Sequence, residues 1–185
     1  MSALATWALA AMLFLVPHGV GRSFPGWSET PAELEARYTQ IAIAVGEVAK
    51  TKSEAALLLA LAYHESAFAQ DVDVGPCYRG KRGGGWWSRC DAGTSYSVWQ
   101  VKPYRKADGS LVTGATLQAD RKVAARRALT LALGSLGLCK KLGPRDQLSA
   151  YIRGTCATGI AGSGARYDKW KQLESWQPTT SKTTP

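Results

Sequence analysis

The sequence predicts a mainly α domain with a central buried helix and one long loop-rich insertion. Three observations carry that expectation. Apolar residues recur at helical spacing across residues 31–49 and again from 116 onward. Between these stretches, Ala55 to Tyr63 has no polar face at all, the mark of a helix buried on every side. From Gln70 to Val112 the helical period disappears and Gly, Trp and Arg dominate.

In chain order, Ala3 to Val16 is an apolar run broken only by Thr6. It is too short for an ordinary membrane span and resembles the apolar region of a secretory leader. Gly19-Val20-Gly21 supplies a small-x-small cleavage site before Arg22, although no Lys or Arg precedes the run. Residues 1–21 are therefore read as a signal peptide, with an uncleaved anchor or a buried N-terminal helix as alternatives. Residues 22–30, with Pro25 and Gly26, read as a linker, and the domain covers 31–176. Pro31 opens its first helix behind Thr30 as N-cap, and Leu34, Tyr38, Ile41, Val45 and Val48 share one face as far as Ala49. The buried helix is expected from Ser53, its cap, to Phe68. In the insertion, Gly83-Gly84-Gly85-Trp86-Trp87 reads as a loop, and Thr94 to Val101 holds a short extended segment. Thr116 caps a third helix reaching Leu136. Gly143-Pro144 starts a fourth through Arg153, and a fifth covers Gly164 to Leu173. Residues 177–185 are polar and proline-flanked, and are expected to be a disordered tail.

The 185 residues suit one compact domain, and 45% of them are apolar, enough to fill a core. A formal charge of +9 attracts polyanions: nucleic acid, anionic lipid or an anionic cell wall. The densest basic groups are Arg79, Lys81, Arg82 and Arg89 in the insertion, and Arg121, Lys122, Arg126 and Arg127 on one helix. A soluble basic surface accounts for them most simply. No helix-turn-helix, zinc-knuckle or RNP pattern accompanies them, so nucleic acid is not expected as a partner.

Four cysteines stand at 77, 90, 139 and 156, none in a CxxC pair, and the two histidines are His18 and His64. The Cys/His sets of zinc sites are missing, so no metal is expected. In an exported chain an even count favours two disulfides over four buried thiols. Of the three connectivities, Cys77–Cys90 and Cys139–Cys156 are favoured. Each closes a short loop, worth about 3 kcal/mol by chain entropy.

The chemistry concentrates at the end of the buried helix, Leu57-Leu58-Leu59-Ala60-Leu61-Ala62-Tyr63-His64-Glu65-Ser66-Ala67-Phe68. A carboxylate at the C-terminus of an apolar helix is expected to hold a proton more tightly, through desolvation and the negative end of the helix dipole. A protonated Glu is what general-acid cleavage of a glycosidic bond requires. His64, about 100° further round the helix, is expected to pack rather than react.

Three segments then resemble, in order, the motifs of lytic transglycosylases in the lysozyme-like superfamily. Ala62 to Phe68 is similar to the family's catalytic helix end, an apolar helix closing in Glu-Ser followed by a small and an aromatic residue. Gly93-Thr94-Ser95-Tyr96-Ser97-Val98-Trp99-Gln100-Val101-Lys102-Pro103 resembles its second motif, usually Gly-Leu-Met-Gln and a nearby proline. Ser97, Val98 and Trp99 replace the first three of those residues, while Gln100 and Pro103 match. Ala150-Tyr151-Ile152-Arg153-Gly154 resembles the third, Ala-Tyr-Asn-x-Gly, with Ile152 in place of Asn. The matches span about residues 31–172, and the stretch from Glu65 to Gln100 is longer than in compact family members.

The resemblance implies a lysozyme-like helical fold, and the extra length before Gln100, a departure from the family, holds Cys77, Cys90 and the Trp-rich loop as a disulfide-linked insertion. It also implies cleavage of peptidoglycan between N-acetylmuramic acid and N-acetylglucosamine, without a cofactor. Glu65 would be the acid/base. Ser66, Tyr96, Trp99, Gln100 and Tyr151 would bind substrate or orient the acid. A hydrolytic lysozyme needs a second carboxylate, for which Asp73 and Asp91, and also Asp71, stand in the right part of the chain. Trp86, Trp87 and Trp99 could stack on sugar rings or fill a core. The expected location is exported, periplasmic or extracellular, or virion- or lysis-associated for a phage-borne chain. The expected partners are glycan strands and, in some settings, a wall-spanning secretion or phage apparatus, with no stable membrane span. The alternatives are a non-catalytic wall-binding protein of the same fold and a basic nucleic-acid binder.

Overall fold

The computed structural model describes residues 1–17, 28–75, 77, 79–82, 85–88 and 90–178, with the backbone alone at 79–82, 85–88 and 92. The described residues are mainly helical. The helices are α1 (Ala3–Leu15), α2 (Pro31–Val48), α3 (Lys52–Ser66), α4 (Gln70–Asp73), α5 (Gly114–Ala119), α6 (Arg121–Leu138), α7 (Ser149–Arg153) and α8 (Ser163–Ser175). Two antiparallel pairs interrupt them, β1 (Arg79–Arg82) with β2 (Gly85–Ser88) and β3 (Tyr104–Arg105) with β4 (Leu111–Val112).

α3 is the axis of the molecule. Every residue from Ala55 to Ala62 is at most 1% exposed, because α1, α2, α6 and α8 all pack on it. Burying each of Leu57, Leu58, Leu59 and Leu61 stabilises the fold by about 2 kcal/mol. Such a helix needs a firm start, and Thr51 supplies it by accepting the Glu54 amide at 3.2 Å. The cap is therefore Thr51 rather than Ser53. At the other end Ala67 (φ 49°) and Phe68 (φ 55°) are left-handed, so the helix stops at Ser66, before Phe68. α2 starts as its sequence predicts, with a reciprocal Thr30–Glu33 capping box and Pro31 in the first turn.

The segment read as one helix from Thr116 to Leu136 is two. Thr113 caps α5, and Asp120 caps α6 by accepting the amides of Lys122 and Val123 at 3.0 and 3.1 Å. Asp120 itself is extended (φ −117°, ψ 93°), which breaks the helix there. The stretch from Gly143 to Arg153 likewise divides into a 3₁₀ turn, Pro144–Asp146, and α7. The Gly/Trp loop becomes the β1–β2 hairpin, pairing Arg79 with Ser88 and Arg82 with Gly85. The side chains of Trp86, Trp87, Arg79, Lys81 and Arg82, and all of Arg89, lie outside the described residues.

α1 lies against α2 and α3, with Ala8, Ala11 and Met12 fully buried. Contact with α2 is close at Gly46, where a Cβ would come within 2.8 Å of Ala5 Cβ. Phe14 stacks on Trp176, with ring centroids 5.2 Å apart. The cleavage site at 19–21, most of the linker and residues 179–185 lie outside the described residues. No helix among those described is long and apolar enough to cross a membrane.

Both disulfides are present. Cys77–Cys90 closes the insertion, and Cys139–Cys156 ties the end of α6 to the loop after α7. The basic cluster of α6 is largely engaged. Arg121 pairs with Asp73 at 2.8 Å, Lys122 with Glu47 at 3.0 Å, and Arg127 lies 4.2 Å from the Tyr104 ring centre.

Candidate active site

The C-terminal turn of α3 is where the three sequence motifs meet. Ser66 is 3% exposed, and its Oγ lies 2.9 Å from the Val98 carbonyl oxygen and 3.0 Å from that of Ala62. The same oxygen accepts the Phe68 amide at 3.1 Å. Ser66 therefore pins the second motif to the helix end and is buried too deeply to hold a sugar itself.

The second motif is a tight bend. Tyr96 and Val101 exchange both backbone hydrogen bonds at 3.0 Å. Between them Ser97 (φ 63°) and Gln100 (φ 50°) are left-handed. Ser97 adopts, without being glycine, a conformation that glycine takes most readily. The expected extended segment is thus a looped bridge. Gln100 is half-buried, and both described hydrogen bonds of its side chain use Nε2, to the Ser97 carbonyl at 3.0 Å and to Cys90 Sγ at 3.3 Å. Tyr96 is partly buried, its ring lying flat against Gly114.

Trp99 corrects a sequence expectation. It is fully buried and donates from Nε1 to the Leu58 carbonyl at 3.0 Å, so it is a core side chain and offers no face to a sugar. The third motif reaches the same point. The Tyr151 hydroxyl donates to the Trp99 carbonyl at 3.4 Å. Gly154 closes α7 in the left-handed region (φ 78°), which accounts for a glycine at the end of that motif.

Glu65 sits among these segments with 21% of its side chain exposed. Its Oε1 accepts two hydrogen bonds from Arg166, from Nη2 at 2.8 Å and from Nε at 3.2 Å. Burial, and then the negative charge of Glu65, push the Tyr151 phenol far above its ordinary range, while Arg166 pulls the other way. Tyr151 therefore stays a protonated donor beside Glu65. His64 Nε2 lies 3.1 Å from the Ala165 carbonyl oxygen, linking α3 to α8. Burial, then the nearby Arg166 charge, lower its pKa, as suits a neutral packing histidine.

The candidate second carboxylates fare differently. Asp73 is also corrected. Its side chain is wholly buried between Arg121 at 2.8 Å and Arg37 at 3.6 Å, and those ion pairs fasten α4 to α6 and α2. Asp71 is buried. Asp91 is exposed, accepts the Ser95 hydroxyl at 3.0 Å and lies 3.8 Å from Lys102. Among the described residues no cluster of three or more His, Cys, Asp or Glu could hold a metal ion.

Arg166 was not among the candidates read from sequence. A weak signal existed: it lies in the first turn of α8, where the helix dipole disfavours a cation. A basic residue in that position calls for an anionic partner outside its own helix. Arranged in this way, the site offers the partly exposed Glu65 carboxylate, flanked by a guanidinium and a phenol, at the end of a helix buried along its length. The chain matches no known family model, and neither the curated proteins nor the solved structures searched contain a match.

Proposed function

We propose that this chain is a lysozyme-like lytic transglycosylase that cleaves peptidoglycan glycan strands, with Glu65 as its acid/base. One observation supports it above the rest: Glu65 stands at the helix end where the three motif segments converge, the second tied to that end by the Ser66–Val98 hydrogen bond and the third to the second by the Tyr151–Trp99 hydrogen bond. Glu65 gives its proton to the glycosidic oxygen as the C1–O bond breaks, and the electron pair leaves with that oxygen. The resulting carboxylate takes the proton of the muramoyl 6-hydroxyl as that oxygen bonds to C1. The product is a 1,6-anhydro end, no water is consumed, and Glu65 is protonated again. In this reading Gln100 and Tyr151 bind the sugars beside Glu65. The two disulfides and the net charge of +9 suit an exported protein working on an anionic wall.

A single-carboxylate mechanism fits this site better than a hydrolytic one. Inverting and retaining glycosidases place a second carboxylate across the sugar; Asp73 is held in its ion pairs, which leaves the exposed Asp91 as the carboxylate a hydrolytic mechanism would have to use. The test is a digest of purified peptidoglycan, with products resolved by mass spectrometry. The expected result is anhydro-muramoyl fragments, with release lowered about 10²–10⁴-fold in Glu65→Gln. Reducing ends alone would replace the transglycosylase with a lysozyme. Wall binding without soluble fragments would leave a non-catalytic wall protein.

A further inference from the structure

The Arg166 guanidinium is built into the site on every nitrogen. Nη2 and Nε both reach Glu65 Oε1, and Nη1 donates to the Gly162 carbonyl at 3.1 Å. Gly162 is left-handed (φ 89°), and a Cβ there would lie 2.6 Å from Nη1. The loop carrying Gly162 follows Cys156, which the second disulfide anchors to α6. Only 12% of the Arg166 side chain is exposed. A surface arginine that happens to meet a carboxylate has none of this support, and its pairing contributes little.

We infer that Arg166 is a positioning residue for Glu65, and that it aims the carboxyl group for proton transfer rather than merely holding the fold. The inference rests on the proposed glycosidase activity. Two donors fix Oε1, so the other oxygen is the one that carries and delivers the proton. As that proton passes to the glycosidic oxygen, negative charge develops on the carboxyl group. Arg166 is already in place to stabilise it, with no reorganisation at the moment of transfer. The Lys side chain supplies charge but not the two-pronged geometry, so Arg166→Lys restores part of the effect and Arg166→Gln none.

The experiment compares wild type, Arg166→Gln, Arg166→Lys and Glu65→Gln on two substrates. One is solubilised wall glycan, whose leaving oxygen needs a proton. The other is an aryl glycoside of the same sugar, whose phenolate leaves without one. On wall glycan, Arg166→Gln should lower kcat about 10²–10³-fold with KM changed less than threefold, and Arg166→Lys should recover at least tenfold of that loss. On the aryl glycoside the Arg166→Gln loss should be under tenfold. Equal losses on both substrates, with a lowered Tm, would make Arg166 a structural residue and overturn the inference. An unchanged kcat on wall glycan would overturn it as well. A wild type inert on wall glycan, or a Glu65→Gln variant as active as wild type, would instead bring down the glycosidase assignment and the role of Arg166 with it.

Discussion

Replacing Ser66 with alanine removes one oxygen atom and leaves two buried groups without their partner. The Ser66 hydroxyl has a single proton, shared between the Ala62 and Val98 carbonyls at 3.0 and 2.9 Å. The Ala62 carbonyl is the ordinary helical acceptor four residues back and retains its backbone bond. The loss therefore falls on the Val98 carbonyl and on the Phe68 amide, which reaches Oγ at 3.1 Å. An orphaned buried polar group costs about 1–3 kcal/mol, so with two such groups Ser66→Ala should destabilise by about 2–6 kcal/mol. In a chain of this size each kcal/mol lowers Tm by about 2–4 °C, which places the fall at about 12 °C. Thermal melts followed by circular dichroism measure it. Ser175→Ala is the control, because that exposed hydroxyl bonds only within its own helix and should shift Tm by less than about 1 °C. A Ser66→Ala melt indistinguishable from the control would refute the claim that this hydroxyl joins the helix end to the 96–101 bend.

Tyr38 is buried, and burial, reinforced by Glu29 and Asp73 and opposed by Arg37, pushes its phenol up to about 12. The folded value lies above the unfolded value, so the stabilisation is complete below pH 10 and lost as pH rises through 12. Denaturant melts should show about 3 kcal/mol of stability disappearing across that window, and Tyr38→Phe should flatten the curve. Gly114→Ala forces a methyl into the Tyr96 ring. It should cost about 1–3 kcal/mol, measured by urea unfolding, with Gly109→Ala as a comparison at an open position. A Cys139→Ser, Cys156→Ser double variant loses a bridge spanning 17 residues and should be less stable by about 3 kcal/mol, read in the same assay.

Helices were legible where the cause is local. Thr30, Pro31 and Glu33 define the start of α2 within four residues, and the all-apolar face of α3 could only belong to a core helix. The two disulfides followed from an even cysteine count and short loops. The break at Asp120 was missed because periodicity runs through it, whereas a capping aspartate overrides periodicity. Within the candidate site, motif order put forward Glu65, Gln100 and Tyr151. Trp99 and Asp73 were misassigned because residue type does not say which way a side chain faces. Trp99 turns inward to Leu58, and Asp73 is claimed by two arginines from α2 and α6. Arg166 lies 101 residues from Glu65, a separation over which no spacing rule operates.

The bend at 96–101 is held by what it presents as polypeptide, since Ser66 and Tyr151 grip the oxygens of peptide units 98 and 99. Any residue with a suitable volume keeps those oxygens in place. The anchoring can thus outlast wholesale replacement of the letters that spell the bend, and residue 98 can be exchanged for another aliphatic without unfastening it.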